Sequence, residues 1–366
     1  MEIKGFKVRF VTPLLIDGAN KYCADSIGLT GKALRGSWHF WFRAIIGGMF
    51  KDIKIEELLL LEGKIFGSAD TKDSRGDKIG AKFRMIVDKE TEFPADSIKL
   101  GFNKPCRCRG DGCYQCNFTG KSNNPATSQG YLENSSYTIQ IIPRSTMSEM
   151  ELKVLFSIIW VWGNLGSVGK RERRGFGSPV ICPNGEDDPF SFHLKGKIIE
   201  LPIKQTFVDL EGLEGHLQEG LSLVWKVFSQ WIKENEFASS ENIFTDVSIT
   251  GAPKSSPFFI LRSCEQVFVG NAGFIDRKDA IAKFHGDSKC DGLGWATGTH
   301  RMASPVFIRF HKITTENVEK LIPVISWCQQ KNVEIRDPNS RALAYLKNML
   351  INGQNVFVNN LNGGTL

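Results

Sequence analysis

Residues 148–166 read SEMELKVLFSIIWVWGNLG. Ser148 and Glu151 have the spacing of a capping box, so a helix opens here. Its apolar residues fall on nearly every side, and a helix of that kind has to be buried on nearly every side. The run around Leu152–Trp162 is only half a membrane span, so the covering has to come from protein. The next stretch is the opposite in character. GNLGSVGKRERRGFGSP, residues 163–179, holds five glycines and four basic side chains with a single acid. Any fold for this chain must bury the helix and still present this glycine-rich, basic stretch.

The neighbours of the helix suggest how. IKGFKVRFVTPLLI at the start alternates apolar and polar residues and reads as a strand. LTGKALRGSWHFWFRAIIGG reads as a helix with Thr30 as N-cap and Gly47-Gly48 as its stop. IEELLLLEGKIFGSAD is a short helix, AKFRMIVDKE and DSIKLGF are strand candidates, and SSYTIQIIPRS is another strand. SPVICP after the loop is a short strand. Strand, helix, strands, helix, strand is the βαββαβ plan of a ferredoxin-like or RRM-like domain, an α+β class. The polar NGEDDP at 184–189 is a boundary, so residues 1–184 form one domain, with a polar, Cys-rich insertion at 103–130.

Residues 190–366 read as a second, decorated ferredoxin-like domain in tandem. SFHLKGKIIELPI is expected as one strand and EGHLQEGLSLVWKVFSQWIKEN as a helix. SSPFFILRS and SPVFIRFHKI are strands, and helices are expected near 315–330 and at NSRALAYLKNML. No internal repeat stands out.

The basic loop suits an anion. Glycines let backbone N–H groups approach a phosphate closely, and arginine forks match phosphate geometry. Lys170, Arg171, Arg173 and Arg174 put four cations in five positions. The spacing is not that of a P-loop and no strand precedes it, which argues against a mononucleotide and for a repeating polyanion such as an RNA backbone. The alternative is a mobile surface turn. On the first helix Leu34, Trp38, Trp41 and Ile45 share one face, and Lys32, Arg35, His39 and Arg43 share another. That second face is either a solvated stripe or a phosphate-facing one. The net charge of +6 is mild, so a polyanion site has to come from clustering.

Nine cysteines are an odd number for a disulfide framework. Four of them, Cys106, Cys108, Cys113 and Cys116, sit in PCRCRGDGCYQC as C-x-C and C-x-x-C joined by a glycine-bearing turn. Four thiolates suit a closed tetrahedral zinc, a structural site, with reduced, metal-free thiols as the alternative. The spacing is tighter than a standard zinc ribbon. The N-terminus has no signal-peptide core, so a cytoplasmic protein is expected.

GKRERRGFGS resembles the glycine-rich, arginine-bearing loop of the RAMP superfamily of CRISPR proteins, which lies between the last helix and last strand of a ferredoxin-like domain. FVTPLLIDGA resembles that family's opening strand and turn, LTGKALRGSWHFWFRA its first helix, IFGS the segment after it, and RMASPVFIRF a recurring strand. The set is most similar to first subunits of type III-B (Cmr) effector complexes. The resemblance implies a non-catalytic subunit that contacts the 3′ region of a guide CRISPR RNA and the target RNA paired to it, beside other subunits of the complex, in antiviral defence. It implies that Gly166, Gly169, Gly175 and Gly177 shape the loop, that Lys170, Arg171, Arg173 and Arg174 meet phosphates, and that Lys32, Arg35 and Arg43 extend the track. His39 stands where the family usually has arginine.

Some members of the superfamily cut CRISPR repeats without metal, and His39 keeps that reading open. A histidine among cations has its charged form disfavoured, which suits a base. No convincing second proton carrier accompanies it: His300 is in a loop before a strand and Tyr22 reads as a packed ring. No serine-hydrolase elbow, metal-hydrolase motif or dinucleotide fingerprint is present.

Overall fold

The structure is a computed structural model of the 366-residue chain. It describes residues 2–16, 27–50, 53–72, 78–99, 128–173, 175–183, 188–235, 261–270, 295–297, 300–302, 306–315, 318–330 and 356–360. The chain is a mixed α/β protein built on antiparallel sheets. Strand β1 (Lys4–Phe10) leads to helices α1 (Gly31–Met49) and α2 (Ile55–Phe66) and the small pair β2 (Ser68–Lys72) and β3 (Lys78–Ile79). Strands β4 (Phe83–Lys99) and β5 (Ser128–Pro143), helix α3 (Glu149–Leu165) and strand β6 (Pro179–Pro183) come next. The first sheet has the order β4-β5-β1-β6 with every pairing antiparallel. Period 2 does the sorting: Phe6, Val8 and Phe10 of β1, with Tyr137, Ile139 and Ile141 of β5, all point into the core.

The second half opens with the hairpin β7 (Ser191–Leu194) and β8 (Lys197–Glu200), then helix α4 (Leu210–Glu234). Strands β9 (Leu261–Gly270), β10 (Trp295–Thr297), β11 (His300–Met302), β12 (Val306–Thr315), β13 (Val318–Gln330) and β14 (Val356–Asn360) follow among the described residues. The second large sheet has the order β12-β13-β9-β14.

Helix α3 is covered on both sides. Phe6 of the first sheet meets Phe156 edge-on at 6.3 Å. Trp162 meets Trp38 of α1 at 6.1 Å. On the far side α4 comes so close that a Cβ on Gly220 would lie 1.9 Å from the Trp160 ring. Helix α1 is sandwiched likewise: Phe42 packs on Trp231 of α4 at 6.0 Å, and Phe40 and Trp41 pack on Phe307 of β12 at 4.8 and 5.4 Å. One hydrophobic cluster therefore runs from Phe6 to Val324, across the expected boundary at 184–189. Among the described residues no helix is long and apolar enough to cross a membrane.

Four local expectations are corrected. Residues 318–330 are a strand, not a helix, because Val318, Ile322, Val324 and Ile325 are β-branched and the segment pairs on both flanks. Pro323 fits there because pairing with β9 begins only at Val324. SFHLKGKIIELPI is a hairpin, not one strand: Lys195 and Gly196 both have positive φ, at 51° and 75°, as a tight primed turn needs. Helix α1 runs through Gly47-Gly48 to Met49, held by the burial of Ile46, Met49 and Phe50. The two strand candidates fall on a single strand, β4, as far as Lys99; residues 100–102 lie outside the described residues. NSRALAYLKNML lies outside the described residues.

Candidate nucleic-acid interface

The loop begins where α3 has to stop. Gly166 caps the helix by donating to Trp162 O at 2.8 Å, and a Cβ there would fall 2.4 Å from Trp41 Nε1. From there the chain is stitched onto the segment after β1. Lys170 N donates to Leu15 O at 2.7 Å, Gly177 N to Pro13 O at 2.9 Å, and Ser178 N to Thr12 Oγ1 at 2.8 Å. Gly177 has φ +63°, and a Cβ would lie 2.0 Å from Val168 O, so only glycine closes the loop on itself there. Gly169, at φ +94°, faces Leu15 O in the same way. These glycines thus serve contacts within the protein. Lys170, Gly177 and Ser178 thus tie the loop to the segment after β1.

The cations stand on that scaffold. Lys170 is exposed, while Arg171, Glu172 and Arg173 are half-buried. Arg171 is a non-glycine residue at φ +58°, a left-handed conformation that costs about 1–2 kcal/mol for an L-residue. Arg173 lies with its guanidinium carbon 4.6 Å from the Phe307 ring centroid and 5.3 Å from that of Phe40. Such stacking fixes a guanidinium plane without neutralising its charge. Burial lowers the Lys170 ammonium, and Arg171 lowers it further. Burial pushes the Glu172 carboxyl up to about 7, against the pull of Arg173, so the one acid of the loop is half-neutralised at neutral pH. Arg174 lies outside the described residues.

The basic face of α1 is arranged differently. His39 Nδ1 is 2.6 Å from Glu62 Oε1 on α2. Arg43 donates to the same carboxylate through Nε at 2.8 Å and Nη2 at 2.7 Å. Burial pushes Glu62 up, but hydrogen bonds from His39 and Arg43 outweigh it and hold the carboxyl below its usual range. Arg35 lies 5.2 Å over the Phe83 ring of β4. Burial, and after it Arg144, lower its pKa. Lys32 is exposed at the start of the helix.

The structure therefore brings α1 and the loop together, but through other residues than the basic stripe. Ser37 Oγ donates to Ser167 O at 3.0 Å, Trp41 backs Gly166, and Arg173 covers Phe40. At about 100° per residue, Ser37 and Trp41 lie on the side of the helix away from His39 and Arg43, and Phe40 lies between the two sides. Phe40, Phe307 and Glu62 were not singled out by the sequence. The aromatic run WHFWF was the one signal for Phe40, and the lone acid among leucines in IEELLLLEGKIF the one for Glu62.

Cys106, Cys108, Cys113, Cys116 and Tyr22 lie outside the described residues. Cys182, on β6, is a half-buried free thiol. Among the described residues no group of three or more His, Cys, Asp or Glu is placed to hold a metal ion.

Residues 7–180 match the family model of the RAMP superfamily. The chain is 28% identical over 184 residues to the CRISPR system Cmr subunit Cmr1-2 of Pyrococcus furiosus, an alignment covering 47% of this chain and 91% of that protein. Among solved structures it is similar to the apo crystal structure of Cmr1 from Pyrococcus furiosus, with a TM-score of 0.56, 16% identity and 99% of both chains covered. It is also similar to a chain of the cryo-EM structure of the type III-B Cmr-beta bound to cognate target RNA and AMPPnP, with a TM-score of 0.50, 12% identity, and 95% of this chain and 98% of that one covered. Both structural likenesses are likenesses of fold.

Proposed function

We propose that the chain, whose residues 7–180 match the RAMP superfamily model, is a non-catalytic, RNA-binding subunit of a type III-B CRISPR effector complex. It contacts the 3′ region of the guide RNA and the target RNA paired to it, in the cytoplasm, beside other Cmr subunits. The observation that carries this reading is the loop: Lys170, Arg171 and Arg173 ride on a backbone pinned to Pro13 and Leu15, with Arg173 stacked on two rings. Preset cations lose little entropy when they meet phosphates, and each releases counterions. Lys32 and Arg35 extend the track, while His39 and Arg43 both bond Glu62. The first sheet, with α1 and α3 on one face, supports a ferredoxin-like domain over 1–184, and the second sheet with α4 supports another over 190–366. Native purification with RNA sequencing tests the function. Repeat-derived RNA of uniform length and several partner proteins are expected; purification alone and RNA-free would reject it.

A nuclease reading has one observation in its favour. Glu62 orients His39 through Nδ1, as a carboxylate orients a catalytic imidazole. General acid–base help is worth about 10² to 10⁴ in rate and needs a second proton carrier, which the described surroundings of His39 do not supply. The ring is also stacked on Phe66 at 4.1 Å. No cleavage of a labelled repeat or a guide-paired target is expected, with or without Mg²⁺. Products that vanish in His39→Ala would promote the nuclease.

For the cysteine segment we keep zinc as the proposal. Cys113→Ser is expected to abolish zinc found by elemental analysis and leave the remaining fold intact, since a structural metal supplies folding energy to its own loop. Wild-type protein from zinc-replete cells that holds none would reject it.

A further inference from the structure

We propose that Arg309, on β12, is the positioning residue of the basic loop: from the second half of the chain it clasps both ends of the loop and holds the loop in the shape that meets RNA. The RNA part of this inference rests on the function proposed above. Arg309 is 2% exposed. Its Nη2 donates to Gly163 O, where the loop opens, and to Pro179 O, where it closes. The rest of the strand acts alike. Ile308 N donates to Arg173 O at 3.2 Å, and Phe310 N donates to Ser178 Oγ at 3.1 Å. His311 Nε2 donates to Asn164 O at 2.9 Å, and Phe307 lies beneath Arg173. A Cβ on Gly175 would strike the Phe310 ring at 2.3 Å. Five consecutive residues of β12, 307–311, thus touch the loop or its two stems.

The chemistry explains why an arginine stands there. Helix α3 has no basic residue in its last turn, and its final carbonyls need donors and favour a cation. Arg309 and His311 supply the donors for Gly163 and Asn164. Burial, with Arg309 close by, keeps the His311 imidazole neutral. Burial lowers the Arg309 guanidinium as well, but an arginine starts so high that it keeps its proton. Among the described residues the cation at this helix end is therefore Arg309, and its Nε and Nη1 are buried there without a partner. A group used only for packing would be more stable as an apolar side chain. The guanidinium instead bridges two carbonyls that must stay together for the loop to keep its shape.

The loop's own basic residues make it a trypsin substrate when it opens, so limited trypsin digestion of the full chain reads its order directly. Arg309→Met is compared with Ile313→Ala, a core truncation on the same strand, beyond the five residues that touch the loop. The Met variant is expected to be cut within 170–174 about tenfold faster than wild type, because cleavage tracks the population of the locally open form. It should also bind single-stranded RNA about tenfold more weakly with a shallower salt slope. Ile313→Ala should match wild type in both measurements under conditions where it remains folded. Arg309→Lys, which keeps a cation able to bridge the two carbonyls, should restore most of the protection; if the Met variant fails to fold, Arg309→Gln, which can reach one carbonyl but not both, takes its place, and cleavage equal to wild type overturns the proposal in the same way. Equal cleavage in Arg309→Met and wild type, or equal acceleration in Ile313→Ala, overturns the proposal. A wild-type chain that binds no RNA overturns the RNA reading and with it this role, and the digestion pattern then still separates the two failures.

Discussion

The loop at 163–179 and the outer face of α1 look alike as sequence, each a cluster of four basic side chains. They are unlike as structure. On α1 a carboxylate from another helix, Glu62, meets His39 and Arg43 and turns two of the four basic side chains into a clasp between α1 and α2. On the loop the one acid, Glu172, is pushed toward its neutral form, and Arg173 is answered by aromatic rings. Similar clusters of basic side chains thus meet different partners: a buried carboxylate on α1, and aromatic rings on the loop.

The largest expected effect tests that contrast at the loop. Arg171→Ala, Arg173→Ala and Arg174→Ala together should weaken RNA binding roughly a hundredfold at about 0.1 M salt, for all sequences alike, and lower the salt slope by about 2, at about 0.7 per phosphate contact. Titrations at several salt concentrations measure both. An unchanged slope would make the loop a bystander.

Glu62→Ala comes next. It strands His39 and Arg43 and should cost about 2 kcal/mol in urea unfolding at pH 7, with RNA affinity within about twofold of wild type. The folded carboxyl is held below its ordinary 4.5, so its contribution is present above that value and is lost as pH falls below it. The variant and wild type should therefore converge in acid. RNA affinity falling as far as in the loop variant would erase the difference between the two regions.

Glu172→Gln should have the smallest effect and the opposite sign. The folded chain keeps a proton that the unfolded chain releases between pH 4.5 and about 7, so wild-type stability declines as pH rises through that window. The glutamine removes the decline and should be more stable at pH 8 by about 1 kcal/mol, a value discounted for partial exposure. It should also flatten a roughly threefold rise in wild-type RNA affinity from pH 8 to pH 6.

The features legible in the sequence were local. The capping box of Ser148 and Glu151 forms as its spacing demands, at 2.7 and 3.1 Å, and Thr30 accepts from Ala33 N as an N-cap. The all-round burial of α3 and the alternation of β1 came from periodicity alone. The features that stayed hidden depended on partners far along the chain. Glu62 meets residues 19 and 23 positions away, and Arg309 meets carbonyls 130 and 146 positions away. Residues 318–330 carry β-branched side chains that fit a strand, but the choice between strand and helix was made by β9 and β12 on either flank.

The cap that β12 places on α3 also sets a clock. His311 lies 147 residues beyond the carbonyl it bonds on Asn164. At a synthesis rate of about 5–20 residues per second, the end of α3 emerges from the ribosome roughly 7–30 s before the strand that completes it. Throughout that interval the nascent chain has its arginines but lacks the frame that aims them. On the function proposed above, the order of synthesis completes the loop only after most of the second half has been made.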